Sequence, residues 1–242
     1  MEVIPVIDLR GGVVVAARRG DRARYRPLET PLAASADPVV VALGLRSLYP
    51  FSTLYVADLD GIEGRGPDLA TQHRLAAAWP GELWLDDGTA GSDNADVGLP
   101  PTPGWGDTQR TPMRIHPVLG SETLTSLPGY ESALKAAGAT LSLDFRGDTF
   151  IGPPGLLDDA ALWPGRVIVM TLARVGSGEG PDTQRLAEIV ARAGARRVYA
   201  AGGVRHVADL HALRAIGVAG ALVATSLHDG RLSRRDLEEV MT

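Results

Sequence analysis

The chain has 242 residues, is 45% hydrophobic, carries a formal charge of -5 and contains no cysteine. This composition suits a globular chain with a full core and excludes disulfides, thiol catalysis and zinc-thiolate sites. The negative balance argues against nucleic acid or an anionic membrane surface as a partner. The chain opens on a strand-like stretch without a signal-type segment, and no apolar run reaches spanning length, so a cytoplasmic protein is expected.

The length is close to that of one α/β barrel and no Pro/Ser-rich linker divides it, so a single domain over residues 1–242 is expected. The first predicted strand is Val3 to Ile7, a Val/Ile-rich run buried on both faces that ends at Asp8 and is broken by Gly11-Gly12. Val13 to Ala17 reads as a short extension. The polar, Arg-rich segment from Arg18 to Ser35 reads as a mobile loop over a site. A helix capped by Ser35 or Asp37, with Pro38 in its first turn, runs to Leu48 and is stopped by Pro50.

The second strand is Leu54 to Asp58, followed by a turn at Leu59-Asp60-Gly61 and a helix from Asp68 to Trp79. The third, Glu82 to Leu85, runs into Asp86-Asp87-Gly88-Thr89. From Ala90 to Pro112, Gly, Pro, Asp and Asn dominate and no helical periodicity survives, so the third helix is degraded. The fourth strand is Arg114 to Val118, then the turn Leu119 to Glu122 and a helix from Tyr130 to Ala137 closed by Gly138. Thr140 to Asp144 is the fifth strand, Leu156 to Leu162 a weak helix, and Val167 to Thr171 the sixth strand. A Gly-rich loop, Val175 to Gly180, leads to a helix from Asp182 to Ala193. Strand seven (Arg197 to Ala200), a helix (Val207 to Ile216), strand eight (Gly220 to Ala224) and a helix from Ser233 to Val240 complete the chain.

Eight strands, each ending in polar residues and each followed by a helix or a loop in its place, predict a (β/α)8 TIM barrel. A half-barrel internal repeat supports it: Asp8-Leu9-Arg10-Gly11 is echoed by Asp144-Phe145-Arg146-Gly147, Gly88 by Gly203, and Ser121 by Ser226. An open doubly wound sheet is the alternative and would not predict a chain that matches itself in halves.

In a barrel the strand ends converge on one mouth, so Asp8 and Asp144 face each other across it. Two carboxylates flanking a small substrate suit proton transfer at adjacent carbons, one as base and one as acid, although each aspartate alone equally suits a loop cap. Asp58 and Asp60 read as structural acceptors for loop amides and arginines. Gly202-Gly203 with Thr225-Ser226 stands where barrels hold a phosphate on backbone amides and a short helix. Gly176-Ser177-Gly178 is either a further anion contact or a connecting loop. The histidines lack ligand spacing, His206 and His211 reading as solvent-facing. A weaker reading gathers Asp58, Asp86 and Asp87 around a divalent cation.

Ile4-Pro5-Val6-Ile7-Asp8-Leu9-Arg10-Gly11-Gly12, Val56-Ala57-Asp58-Leu59-Asp60-Gly61, Ser142-Leu143-Asp144, Ala201-Gly202-Gly203-Val204 and Thr225-Ser226 stand in an order that resembles the histidine-biosynthesis barrels. These are phosphoribosylformimino-aminoimidazole carboxamide ribotide isomerase and its sister, the cyclase subunit of imidazole glycerol phosphate synthase. The resemblance implies a cofactor-independent aldose–ketose isomerase of Amadori type, with Asp8 and Asp144 as acid/base residues and Thr171 matching the family threonine after strand six. Departures accompany it. Val175 stands where the isomerase has a functional Asp, Ala16 where it has Arg and the cyclase Lys, and Asp86-Asp87-Gly88 where a second phosphate-binding turn belongs. The expectation is a diverged isomerase acting on a phosphorylated small molecule, with metal absent from the site and oligomeric state open. The alternative is a non-catalytic or accessory phosphometabolite-binding barrel.

Overall fold

The computed structural model describes residues 1–88, 114–127, 130 and 139–241. Eight parallel strands close into a barrel: β1 (Glu2–Arg10), β4 (Thr53–Asp58), β5 (Glu82–Asp86), β6 (Arg114–Gly120), β7 (Thr140–Arg146), β9 (Arg166–Thr171), β10 (Arg197–Ala201) and β11 (Gly220–Val223). Closure is made by β11 against β1, with Glu2 opposite Gly220 and Pro5 opposite Val223. The fold expected from the sequence is therefore the one observed.

Two antiparallel arms extend it, and they repeat the internal symmetry. β2 (Val13–Ala16) folds back on β1 with Asp8 opposite Val15, and β8 (Thr149–Ile151) folds back on β7 with Asp144 opposite Ile151. Each arm turns at a glycine with positive φ, Gly11 and Gly12 in the first and Gly147 in the second, a conformation that costs other residues strain. A short strand, β3 (Arg26–Pro27), pairs with β2.

The helices form where caps and apolar stripes place them. α1 (Pro38–Leu48) starts at Asp37, whose carboxylate accepts from the amides of Val39 and Val40, with Pro38 at the first helical position. α2 (Leu59–Ile62) is one turn capped by Asp58, and α3 (Leu69–Ala78) is capped by Asp68. α4 (Thr183–Ala193), capped by Asp182, buries Leu186, Ile189 and Ala193. α5 (Val207–Ala215), the single turn α6 (Thr225–His228) and α7 (Arg234–Met241) follow. The weak helix expected at Leu156 to Leu162 is reduced to a 3-10 turn at Ala160–Leu162, because Pro153, Pro154 and Gly155 break the segment before it. The degraded stretch Ala90 to Pro112, Thr89 and the expected helix beyond Tyr130 lie outside the described residues.

Strand parity divides the core in two. Ile4, Tyr55, Trp84, Val118, Ile168, Tyr199 and Leu222 fill the barrel interior, where Trp84 meets Tyr199 edge-on at 4.9 Å. Val41, Leu45, Leu54, Leu75, Leu141, Ile189 and Leu213 belong to the larger layer between strands and helices. No helix among the described residues is long and apolar enough to cross a membrane.

The Arg18 to Ser35 segment corrects the expectation of a free lid. It is tied down by the β2–β3 pairing, by a 3-10 turn at Arg22–Arg24, and by Arg22, which reaches Glu122 at 2.5 Å and Glu63 at 3.8 Å. Arg10 adds a bond to the Arg22 carbonyl and an ion pair to Glu63 at 3.3 Å.

Candidate active site

A cavity opens at the carboxyl ends of the barrel strands, walled by Asp8, Arg22, Tyr55, Asp86, Glu122 and Asp144 on one side and by Arg174, Gly176, Gly202, Gly203, Thr225 and Arg231 on the other. The alternation that sends Asp8 inward at the end of β1 sends Asp86 inward from β5 and Asp144 from β7.

Asp144 is buried and Asp8 is half-buried, and their partners differ. Asp144 is 4% exposed and fixed by three donors. Ser142 Oγ approaches one carboxylate oxygen at 2.7 Å, while Ser121 Oγ at 3.2 Å and the Glu122 amide at 3.0 Å approach the other. Burial, then the Glu122 charge, lifts its pKa to about 7 against the pull of those donors. The Asp8 carboxylate accepts no hydrogen bond among the described residues. Burial carries it to about 7, with the Arg22 guanidinium opposing the rise. Tyr25 beside it is pushed up to about 12, by burial first and then by the Asp8 charge.

Asp86 is 6% exposed and is held far above the carboxylate range by burial, then by the Asp144 and Glu122 charges. Its donors are the Tyr55 hydroxyl at 3.3 Å and the Gly88 amide at 3.4 Å. Gly120 lies between it and Asp144: a Cβ there would stand 3.1 Å from one Asp86 oxygen and 3.6 Å from an Asp144 oxygen.

The opposite end of the mouth is made of glycine turns. Gly202 and Gly203 have φ of +98° and +91°, and a Cβ on Gly203 would stand 2.2 Å from the Gly180 carbonyl, so only glycine fits. Among the described residues the amides of Gly203, Thr225 and Ser226 donate to no protein acceptor, the last two being first-turn amides of α6. Arg174, Arg205 and Arg231 stand along the same wall.

Of the residues singled out from the sequence, the mouth gathers Asp8, Asp144, Gly176, Gly202, Gly203 and Thr225. Three side chains are directed elsewhere. Thr171 is paired with Phe145, one step out of phase with the inward Met170, and its Oγ1 accepts from Arg185 of α4 at 3.4 Å. Ser226 is fully buried and its hydroxyl donates to the Val204 carbonyl at 3.0 Å, leaving only its amide for an anion. Ser177 gives its hydroxyl to the Arg174 carbonyl at 3.0 Å, closing the local turn.

Asp58 is a structural acceptor, as expected. It takes the amides of Asp60, Gly61 and Asp68 and the Gln72 side chain at 2.7–3.3 Å, which leaves it no lone pair for a cation. Asp60 binds the Gly11 amide at 2.6 Å and Arg65. No group of three His, Cys, Asp or Glu among the described residues is disposed to hold a metal ion. His206 and His211 are about half exposed on α5 and its cap.

Arg22, Tyr55 and Glu122 belong to the mouth without having been singled out as site residues, and Asp86 was singled out only for a divalent cation and as a departure at the second phosphate turn. Asp86 and Tyr55 carried a usable signal, both standing in phase with the inward face near a strand end. Arg22 carried none, since its partners come from distant parts of the chain.

Fold and mouth together define a (β/α)8 barrel of two matching halves, each headed by an inward aspartate. Residues 160–233 match the family model described as histidine biosynthesis protein. An isomerase of Rubrobacter xylanophilus named for 1-(5-phosphoribosyl)-5-((5-phosphoribosylamino)methylideneamino) imidazole-4-carboxamide is 31% identical over 97% of this chain and 94% of its own length. The Thermus thermophilus enzyme of the same name is 28% identical over 98% of both chains, and an uncharacterized protein of Methanocaldococcus jannaschii is 25% identical over 100% of this chain and 98% of its own. The chain belongs to the histidine-biosynthesis barrel family.

Proposed function

We propose that this protein is a cofactor-independent aldose–ketose isomerase of Amadori type, acting on a small molecule held by one phosphate. The observation that carries this reading is the pair Asp8 and Asp144, one half-buried and one buried carboxyl, both raised to about 7, on facing strands of one mouth. Groups titrating near the working pH are the most effective proton carriers in both directions.

The roles follow from the partners. Asp8, unbonded and beside the Arg22 cation, is the base that takes the proton from C2 of the opened sugar and returns it to C1. Asp144, oriented by its donors beside the Glu122 anion, is the acid that protonates the ring oxygen on opening and then takes the proton of the C2 hydroxyl as the ketone forms. The proton count balances over the cycle, and no electron acceptor is needed. The phosphate is received by the amides of Gly203, Thr225 and Ser226, with Gly176 and the arginines Arg174 and Arg231 beside them.

The relatives are named for a compound with two phosphoribosyl groups. In this chain the mirrored turn is less suited to a second phosphate. The Gly88 amide faces Asp86, the Glu122 amide faces Asp144, and the one proton of the Ser121 hydroxyl is shared between Asp144 at 3.2 Å and the Ile151 carbonyl at 2.6 Å. With these amides and this hydroxyl already taken by carboxyl and carbonyl oxygens, few open donors remain there for a second phosphate.

Turnover tests the reading: the purified protein is incubated in D2O with the relatives' named substrate and with aldose and glycosylamine monophosphates, and ketose formation and deuterium at C1 are followed. Conversion of a monophosphate, with Asp8→Asn and Asp144→Asn each slower by about 10²-fold or more, supports it. A barrel that binds these compounds without exchanging deuterium, or mutants at the wild-type rate, sinks it in favour of a binding protein.

A further inference from the structure

The proposed proton transfers leave Asp86 unused, although it is nine-tenths buried and stands on the cavity wall. Its place in the fold is telling. At the matching position of the other half, the end of β10, the residue is Ala201, and the turn beyond it keeps its amides open. At the end of β5 a carboxylate fills that position instead and draws the Gly88 amide to itself.

Charge at this end of the mouth is unbalanced. Glu122 is matched by Arg22 at 2.5 Å, whereas no guanidinium or ammonium pairs with Asp86 among the described residues. Its two donors are neutral and long, at 3.3 and 3.4 Å. Asp144 converges with it on Gly120, which has no side chain to separate them.

We propose that Asp86 determines specificity for the unphosphorylated end of the substrate, and that this end carries an amine. The inference rests on the reading of the Gly203 turn as the phosphate end. An ammonium group in the cavity beside Asp86 favours its ionised form and makes charge-assisted bonds with it, stronger than those of a hydroxyl in the same place. Burial and the neighbouring anions raise the Asp86 pKa well above the usual carboxylate range, and a bound ammonium opposes that rise. The ammonium therefore ionises it on binding, and one proton leaves to solvent.

Isothermal titration of the full chain tests this with a ladder of ω-aminoalkyl phosphates, each matched to its ω-hydroxyalkyl counterpart, and with inorganic phosphate as competitor. The best amine is expected to bind at least about tenfold more tightly than its hydroxyl partner, a difference of about 1.4 kcal/mol. Titration in buffers of different ionisation enthalpy should show proton release for the amine alone. Asp86→Asn should bring the pair to parity, and Tyr55→Phe, which keeps the carboxylate, should preserve the preference.

Equal affinity of amine and hydroxyl, amine binding without proton release, or a preference that survives Asp86→Asn overturns the inference. The proton-release readout uses only the wild-type protein, so absence of release overturns the inference even if Asp86→Asn does not fold. Failure of inorganic phosphate to compete with any probe instead overturns the phosphate reading on which the inference rests.

Discussion

Asp8 and Asp144 reach the same pKa by different routes, and the difference is testable. In Asp8 burial acts against a single guanidinium; in Asp144 burial and the Glu122 anion act against three hydrogen bonds. With an ionised base and a protonated acid both required, kcat/KM should form a narrow bell centred near pH 7, its two limbs belonging to the coupled pair. Arg22→Ala removes the cation that restrains Asp8, so the acidic limb should move to higher pH; an unmoved limb would separate Arg22 from the base. Stability carries the opposite signature. Each folded-state pKa lies above the ordinary 3.8, so the native state binds more protons than the unfolded chain between about pH 4 and 7. Stability should fall across that window, by up to ~4 kcal/mol for each group, and level off above it. Asp8→Asn should therefore be slower yet more resistant to urea at pH 8 than the wild type, and a less stable mutant would contradict the raised pKa.

At the scale of elements, much was legible because local chemistry and topology agree. Alternating strand and helix patterns with aspartate caps at Asp37, Asp68 and Asp182 located the barrel strands and α1, α3 and α4 to within a few residues. The hydroxyls of Ser226 and Ser177 misled, since a serine in a tight turn meets a nearby carbonyl before it meets a ligand. Thr171 shows how parity acts, a one-residue step that turns a strand-end side chain from the mouth to the helix layer. Arg22 was illegible because its partner Glu122 is 100 residues away in sequence. Asp58 and Gly203 give the sharpest tests at this scale. Asp58→Ala strips four donors of their buried acceptor and should cost about 3 kcal/mol or more in urea unfolding, with the β4–α2 turn losing hydrogen-exchange protection first. Gly203→Ala sets a methyl against the Gly180 carbonyl at a φ suited to glycine, and should weaken inorganic phosphate binding at least about tenfold; unchanged binding would remove this turn from the anion site.

Across the whole molecule, two halves with the same architecture present unlike ends to one mouth. Both carry an aspartate on a strand with an antiparallel arm, and both carry a glycine turn after one barrel strand and a serine after the next. In the second half Gly202 and Gly203 leave amides open beside arginines; in the first, Asp86, Glu122 and Asp144 surround Gly88 and Gly120. Family membership alone does not distinguish this arrangement from a barrel with two equivalent anion ends. The central claim is that this mouth holds a single phosphate, at one end of a proton-transfer site. The most direct measurement is a crystal structure of the protein soaked in phosphate or sulfate. An anion is expected on the amides of Gly203, Thr225 and Ser226 and none beside Gly88 and Ser121. An anion bound at Gly88 and Ser121, with Asp86 turned away from it, would contradict the account and restore a substrate with two phosphates.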